Sequence, residues 1–229
     1  MSLQTLVPDH LWHAQQPLRL GPLRFTSRMT IVKLADGGLW VHSPVRPCTA
    51  LVAEIDALGP VRDVVAPNRE HHRFLVPFLA AFPRARGWVP PGFGRGRAEF
   101  EHLQGLDEAN RSQWEPQLRG VFIEGLPRLD ETAWYHAPTR TLVLADLLLY
   151  FDRDNRWLTR LAARIAARPG RPAMGRHMRL MVRDRPALAR SVRAIRQLDF
   201  RRLVLAHDRV IEQDAQAAFA TAFDWLIDD

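Results

Sequence analysis

Four residues of the kinds that hold metals or move protons each lie just beyond a short apolar run. His71 and His72 follow VRDVVA (61–66), Asp146 follows TLVLA (141–145), and His207 follows RLVLA (202–206). Such runs read as strands, and the loops beyond strand ends gather at one sheet edge, where sites are built. Imidazole and carboxylate suit zinc, iron or manganese, and three or four converging ligands leave a position open for water or substrate. An ion held there acidifies water and directs it at a carbonyl or phosphoryl centre. Taken singly, each residue has a plainer role: a strand-end Asp caps a turn, and a lone His is more often a hydrogen-bonded structural group. Placement at three strand ends is what argues for a joint role. His71 and His72 would point oppositely in a strand, but a turn entering a helix can aim both inward.

The elements that must position these residues are legible from periodicity. Met29 to Val41 reads as a hairpin, with Ala35-Asp36-Gly37-Gly38 as its turn. Thr49 to Leu58 has helical spacing, and Val61 to Ala66 is a β-branched strand closed by Pro67. Arg73 to Phe82 is expected to be a helix and Ala85 to Val89 a strand. PPGFGRGRAEF reads as a loop, without the strand-to-helix context that a phosphate-cradling glycine loop needs. Val121 to Ile123, Thr132 to His136 and Leu142 to Leu144 form a second set of strands. Arg153 to Arg168 and Pro186 to Leu198 are expected to be basic amphipathic helices, Leu203 to Ala206 a buried strand, and Asp214 to Leu226 a terminal helix. This order predicts an α/β chain with two sheets packed together and helices outside.

Composition narrows the function classes. A chain of 229 residues, 47% hydrophobic, is expected to form a single domain over 1–229. No run reaches the roughly 18 apolar residues of a membrane span, and the N-terminus lacks a secretory pattern, so a cytoplasmic location is expected. Cys48 is the only cysteine, which excludes an internal disulfide and a thiolate zinc cluster. Neither Cys48 nor Ser43 lies in a recognisable nucleophile context, and the seven tryptophans read as packing. The net charge of +7 is carried by arginine, with Lys33 the sole lysine, and residues 153–209 hold 16 arginines against four acids. That stretch is a candidate anion-facing surface.

Over most of its length the chain resembles the metallo-β-lactamase-fold superfamily. MTIVKLADGGLWVHSP resembles that fold's opening strands, with His42-Ser43-Pro44 where an Asp-x-Gly turn is usual. VVAPNREHHRFLVPFLAAFP resembles its strand, HxHxDH ligand loop and following helix. TRTLVLADLLLYF resembles the strand ending in the bridging aspartate, and RLVLAHDRVI the strand ending in the last histidine. PN followed by HH, together with ADLLLYF, is similar to a divergent branch, the domain of unknown function 4336. The resemblance implies an αββα sandwich of two mixed β-sheets flanked by helices.

Departures from the superfamily pattern shape the expected site. Aligned on the helix start, PNREHH puts Pro67 and Arg69 at the first two histidines, His71 at the aspartate and His72 at the final histidine. Leu126, in Gly125-Leu126-Pro127, stands where another histidine is usual. The resemblance therefore implies loss of the first metal position and retention of the second, with His71, His72, Asp146 and His207 as ligands. Shifting the overlay by one residue brings Asn68, Glu70 and His71 to the motif positions, and Asn68 and Glu70 then stand behind the ligands, Glu70 as a base. With His71 in place of aspartate, zinc or iron suits the site better than magnesium. Without a metal, the same residues form a polar hydrogen-bonded cluster.

Three functions follow. The first is a single-metal hydrolase of an ester, thioester or phosphodiester, with Asp146 and His207 as catalytic residues orienting the attacking hydroxide. The second is a catalytically degenerate protein that holds an unknown small-molecule ligand in the old cleft. The third is anion or nucleic-acid binding through residues 153–209; few aromatics are interleaved there, so a solvated basic helix face is the expectation and nucleic acid is not.

Overall fold

The computed structural model describes residues 1–20, 23–94, 96–150, 170–207 and 209–227. The helix expected over Arg153 to Arg168 lies outside the described residues.

The first sheet has seven strands in sequence order: β1 (Gln4–Val7), β2 (Leu11–Leu20), β3 (Leu23–Lys33), β4 (Leu39–His42), β5 (Val61–Val65), β6 (Arg86–Val89) and β7 (Gln104–Gly105). Strands β1 to β4 pair antiparallel, and β4 to β7 pair parallel. The expected hairpin is β3–β4, and its turn is specified locally. Gly37 adopts φ +80°, a conformation open to glycine, and the Asp36 carboxylate accepts from Gly38 N at 2.9 Å. The first two parallel steps run through α1 (Thr49–Asp56) and α2 (Leu75–Ala81), which bury Leu51, Ile55, Phe78 and Leu79.

The second sheet has the order β12-β11-β10-β9-β8, formed by β8 (Leu118–Phe122), β9 (Thr132–His136), β10 (Thr141–Leu144), β11 (Arg202–Leu205) and β12 (Val210–Ile211). The β10–β11 pair is parallel and the others antiparallel. Between β7 and β8 runs the short helix α3 (Glu108–Arg111), and between β10 and β11 lies α4 (Arg176–Leu180). Helix α5 (Arg185–Arg196) opens on an Asp184 cap that accepts from Ala187 N, and buries Leu188, Val192 and Ile195. Arg190, Arg193 and Arg196 stay outside. Helix α6 (Ala215–Ala222) brings Phe219 into the same cluster.

Alternation along the strands produces three apolar layers. On β10, Leu142 and Leu144 join the cluster under α5 and α6, while Val143 turns to the other face; on β4, Leu39 and Val41 pack toward α1 while Trp40 turns inward. The inner layer draws on both sheets, and the rings of Trp40 and Trp134 meet at 5.0 Å. The architecture is thus the expected αββα sandwich of two mixed sheets. Asp63, 1% exposed, accepts from the indoles of Trp88 (2.8 Å) and Trp114 (3.1 Å) and from Arg86 (2.9 Å), which neutralises a carboxylate at the edge of that layer.

The boundaries differ from expectation mainly at the N-terminus, where β1 and β2 were not foreseen. Gln15-Gln16-Pro17 interrupts the apolar pattern of β2, yet the strand pairs with β3 without a break from Leu11↔Val32 to Leu20↔Leu23. The expected strand Val121 to Ile123 begins earlier, at Leu118. No helix among the described residues is long and apolar enough to cross a membrane.

Candidate functional site

The carboxyl ends of β5, β10 and β11 converge, and the loops beyond them bring His71, Asp146 and His207 together, with one ligand atom from each inside a span of 4.8 Å. His71 Nε2 stands 3.2 Å from Asp146 Oδ2, His207 Nε2 stands 3.0 Å from Asp146 Oδ1, and the two Nε2 atoms are 3.3 Å apart. Among the described residues this is the group able to hold a metal ion.

Each ring is turned by a partner on its far nitrogen. His207 Nδ1 donates to the Thr26 carbonyl at 2.8 Å, and His71 Nδ1 meets Ser43 Oγ at 2.5 Å. Ser43 sits just past β4 at φ +53°, in the turn that the sequence comparison aligned with Asp-x-Gly. Arg28, 3% exposed, secures the His207 loop from β3: its Nη1 donates to the Leu205 carbonyl and, at 3.0 Å, to that of Arg209, while its backbone N donates to Ala206 O at 2.7 Å. Outer partners of this kind fix the orientation of ligand imidazoles.

Asp146 is held by Asn68 and Glu131. Asn68, fully buried, accepts on Oδ1 from the backbone N–H of Glu70 (3.0 Å) and His71 (2.9 Å), which shapes the turn that presents His71. Its Nδ2 donates to Asp146 Oδ2 at 2.8 Å and to Glu131 Oε2 at 2.9 Å. Glu131, also fully buried, accepts from the backbone N–H of Ala145, Asp146 and Leu147 at 2.8 to 3.0 Å, so it shapes the loop that carries Asp146. Burial and the nearby Asp146 charge push the Glu131 carboxyl up to about 7, against the pull of its N–H donors. Burial acts on Asp146 in the same sense, but His71 and His207 outweigh it and hold its carboxyl well below the usual range.

His72 stands apart from the three. Its Nδ1 is 2.8 Å from the Arg69 carbonyl, and its ring packs against Phe93 (4.8 Å) and Phe100 (5.9 Å). Glu70 contributes its backbone N–H to the Asn68 turn while the residue itself is exposed. At the positions aligned with the other superfamily histidines, Pro67 O accepts from Thr132 N, Arg69 pairs with Asp130 at 2.6 Å, and Leu126 is buried in the cluster beneath α5.

Sequence reasoning missed Glu131, Ser43, Thr26 and Arg28. Glu131 stands immediately before a β-strand, in Leu129-Asp130-Glu131-Thr132, and nothing in its spacing separates it from a surface acid. His42 was also passed over. It is 1% exposed, its ring stacks on Trp40 at 5.7 Å, and its Nε2 has no hydrogen-bond partner among the described residues. Burial first, then His71, lowers its pKa to about 3, with Asp146 opposing.

Comparison with known proteins accords with this geometry. The family model described as Domain of unknown function (DUF4336) matches residues 8–93, a stretch that includes Ser43, Asn68 and His71. No curated protein matches the sequence. Among solved structures, a metallo-beta-lactamase from Pontibacter korlensis is similar at TM-score 0.63 and 14% identity, covering 97% of this chain and 99% of that one. A metallo beta lactamase from Erythrobacter litoralis, with beta mercaptoethanol in its active site, is similar at TM-score 0.63 and 16% identity, covering 98% and 95%. Another, from Hirschia baltica, is similar at TM-score 0.64 and 9% identity, covering 97% and 98%. Identities this low speak to the fold alone: the chain shares the two-sheet fold of these metallo-β-lactamases, and its residues 8–93 are similar to the DUF4336 family.

Proposed function

We propose that the protein is a single-metal hydrolase of an ester, thioester or phosphodiester, with His71, Asp146 and His207 holding one zinc or iron ion. The observation that carries this is the setting of His207. Its Nδ1 donates to a carbonyl while its Nε2 faces the Asp146 carboxylate, an arrangement that either a metal ion or a proton between the two would satisfy. Ligands about 2.0–2.1 Å from a tetrahedral ion lie about 3.3 Å from one another. The two Nε2 atoms, 3.3 Å apart, fit that spacing, Asp146 turns one oxygen to each ring, and nitrogen and oxygen donors suit zinc or iron.

A zinc or iron ion there supplies Lewis acidity and acidifies water. The chain's own groups do the rest. Ser43 and Thr26 keep the two Nε2 atoms turned toward the centre, and Glu131 and Asn68 keep the Asp146 carboxylate facing both rings. Asp146, held ionised, and His207 would orient the attacking water, Asp146 by accepting its hydrogen bond. A second reading has its own support: a proton in the same place satisfies the same contacts, and Pro67, Arg69 and Leu126 offer no further ligands. The protein would then be a binding protein that uses the cleft without metal.

Elemental analysis of protein purified without added metal, on wild type, Asp146→Ala and His207→Ala, separates the two. About one equivalent of zinc or iron in the wild type, lost in both variants, is the expected result. Wild-type protein that arrives metal-free and takes up no zinc, iron or manganese refutes the hydrolase and leaves the binding protein.

A further inference from the structure

Two arginines converge on one ring beside the site. Arg46 lies three residues past Ser43, and Arg73 two residues past His71; their guanidiniums stand 5.5 Å and 5.4 Å from the centre of the Phe74 ring. The loop of Arg46 is fixed against β2 by Arg46 N donating to Gln16 Oε1 at 3.1 Å. Both arginines are exposed, and no carboxylate among the described residues pairs with either. The contrast with their neighbours is informative: Arg69 is taken by Asp130 and Arg97 by Glu99.

His72, between His71 and Arg73 in the chain, backs onto an apolar wall. Phe93, half-buried, packs on His72 at 4.8 Å and on Phe100 at 5.2 Å. The loop can lie this close because Gly94, at φ +70°, has no side chain; a Cβ there would come within 2.4 Å of the Phe100 ring. Two guanidiniums on an aromatic ring, with no carboxylate partner among the described residues, and an aromatic wall on the intervening His72 suit an organic anion. The forks bind the charged oxygens, and the rings cover the carbon body.

We propose that the surface beside His71 takes an anionic substrate whose phosphate or carboxylate is bound by Arg46 and Arg73 at Phe74, with its apolar part toward Phe93. The assignment rests on the hydrolase reading for the word substrate, but the binding it asserts does not need the metal.

The test is calorimetric titration of phenyl phosphate, benzoate and neutral benzyl alcohol into wild type, Arg46→Gln, Arg73→Gln and the double variant, each metal-free and zinc-loaded. Both arginines are exposed, and unchanged thermal melts would verify that the variants fold. The wild type is expected to bind at least one anion at low salt and not the alcohol, with affinity about tenfold lower in the double variant and falling as salt rises. Whichever anion binds more tightly identifies phosphate or carboxylate as the natural group. Anion affinity that is unchanged in the double variant, or absent in the wild type, overturns the proposal even if zinc binds. Arginine-dependent binding in protein that takes up no metal upholds it and removes the hydrolase reading instead.

Discussion

Replacing Asn68 with aspartate exchanges one amide nitrogen for an oxygen at a residue with no exposed surface. The Oδ1 side is untouched and continues to accept from Glu70 and His71, so the turn keeps its shape. On the other side, a donor shared by Glu131 (2.9 Å) and Asp146 (2.8 Å) becomes a third carboxylate oxygen. Two hydrogen bonds are lost, one to the ionised Asp146 worth about 1.5–3 kcal/mol and one to Glu131, whose carboxyl is pushed up to about 7, worth about 0.5–1.5 kcal/mol, so the expected destabilisation is roughly 2–4.5 kcal/mol. That is a large share of a typical total of about 5–15 kcal/mol. Guanidinium unfolding at pH 7 should show a lower midpoint with an unchanged slope. The deficit should shrink as pH falls, because protonating any of the three crowded carboxyls restores a donor. Zinc affinity, read by competition with a chromophoric chelator, should fall about tenfold or more. A variant within about 1 kcal/mol of wild type at pH 7 would refute the role given to Asn68.

His71→Ala should abolish stoichiometric zinc uptake and His72→Ala should leave it intact, because only the first faces Asp146 and His207; loss of zinc in both would restore His72 to the ligand set. Arg28→Met removes the side-chain clamp on the Leu205 and Arg209 carbonyls, and is expected to weaken zinc binding about tenfold, which equilibrium dialysis would measure. Stability should also fall in acid. Burial, reinforced by Arg28 at His13 and by His10 at His136, lowers both histidines to about 4. Since the folded values are depressed, the unfolded chain takes up protons first: stability is full above about pH 6.5 and drains as pH falls toward 4. Guanidinium midpoints that stay constant between pH 7 and pH 5 would contradict this. His136→Gln should flatten the decline.

How much of the site was legible follows from what each residue's neighbours in sequence disclose. His71, Asp146 and His207 could be found because each follows an apolar strand, and strand ends at one sheet edge meet once the sheets pair. The sandwich was legible for a related reason: alternation in VRDVV, TLVL and RLVL assigns two faces to each strand, and two-faced strands need two covers. The strand β2 escaped because pairing with β3, rather than its own pattern, makes it a strand.

The direction of a side chain was decided only by tertiary structure. His71 and His72 are adjacent and alike in sequence, yet the Asn68 turn sends one to Asp146 and the other to Phe93. Glu131, 15 residues from Asp146, fixes the Asp146 loop through three backbone N–H groups, which have no side-chain identity for a sequence to reveal. Residue type and strand position thus set which groups could meet. Long-range hydrogen bonds to buried backbone set which of them do, because a buried polar group must find its partner wherever the fold places one.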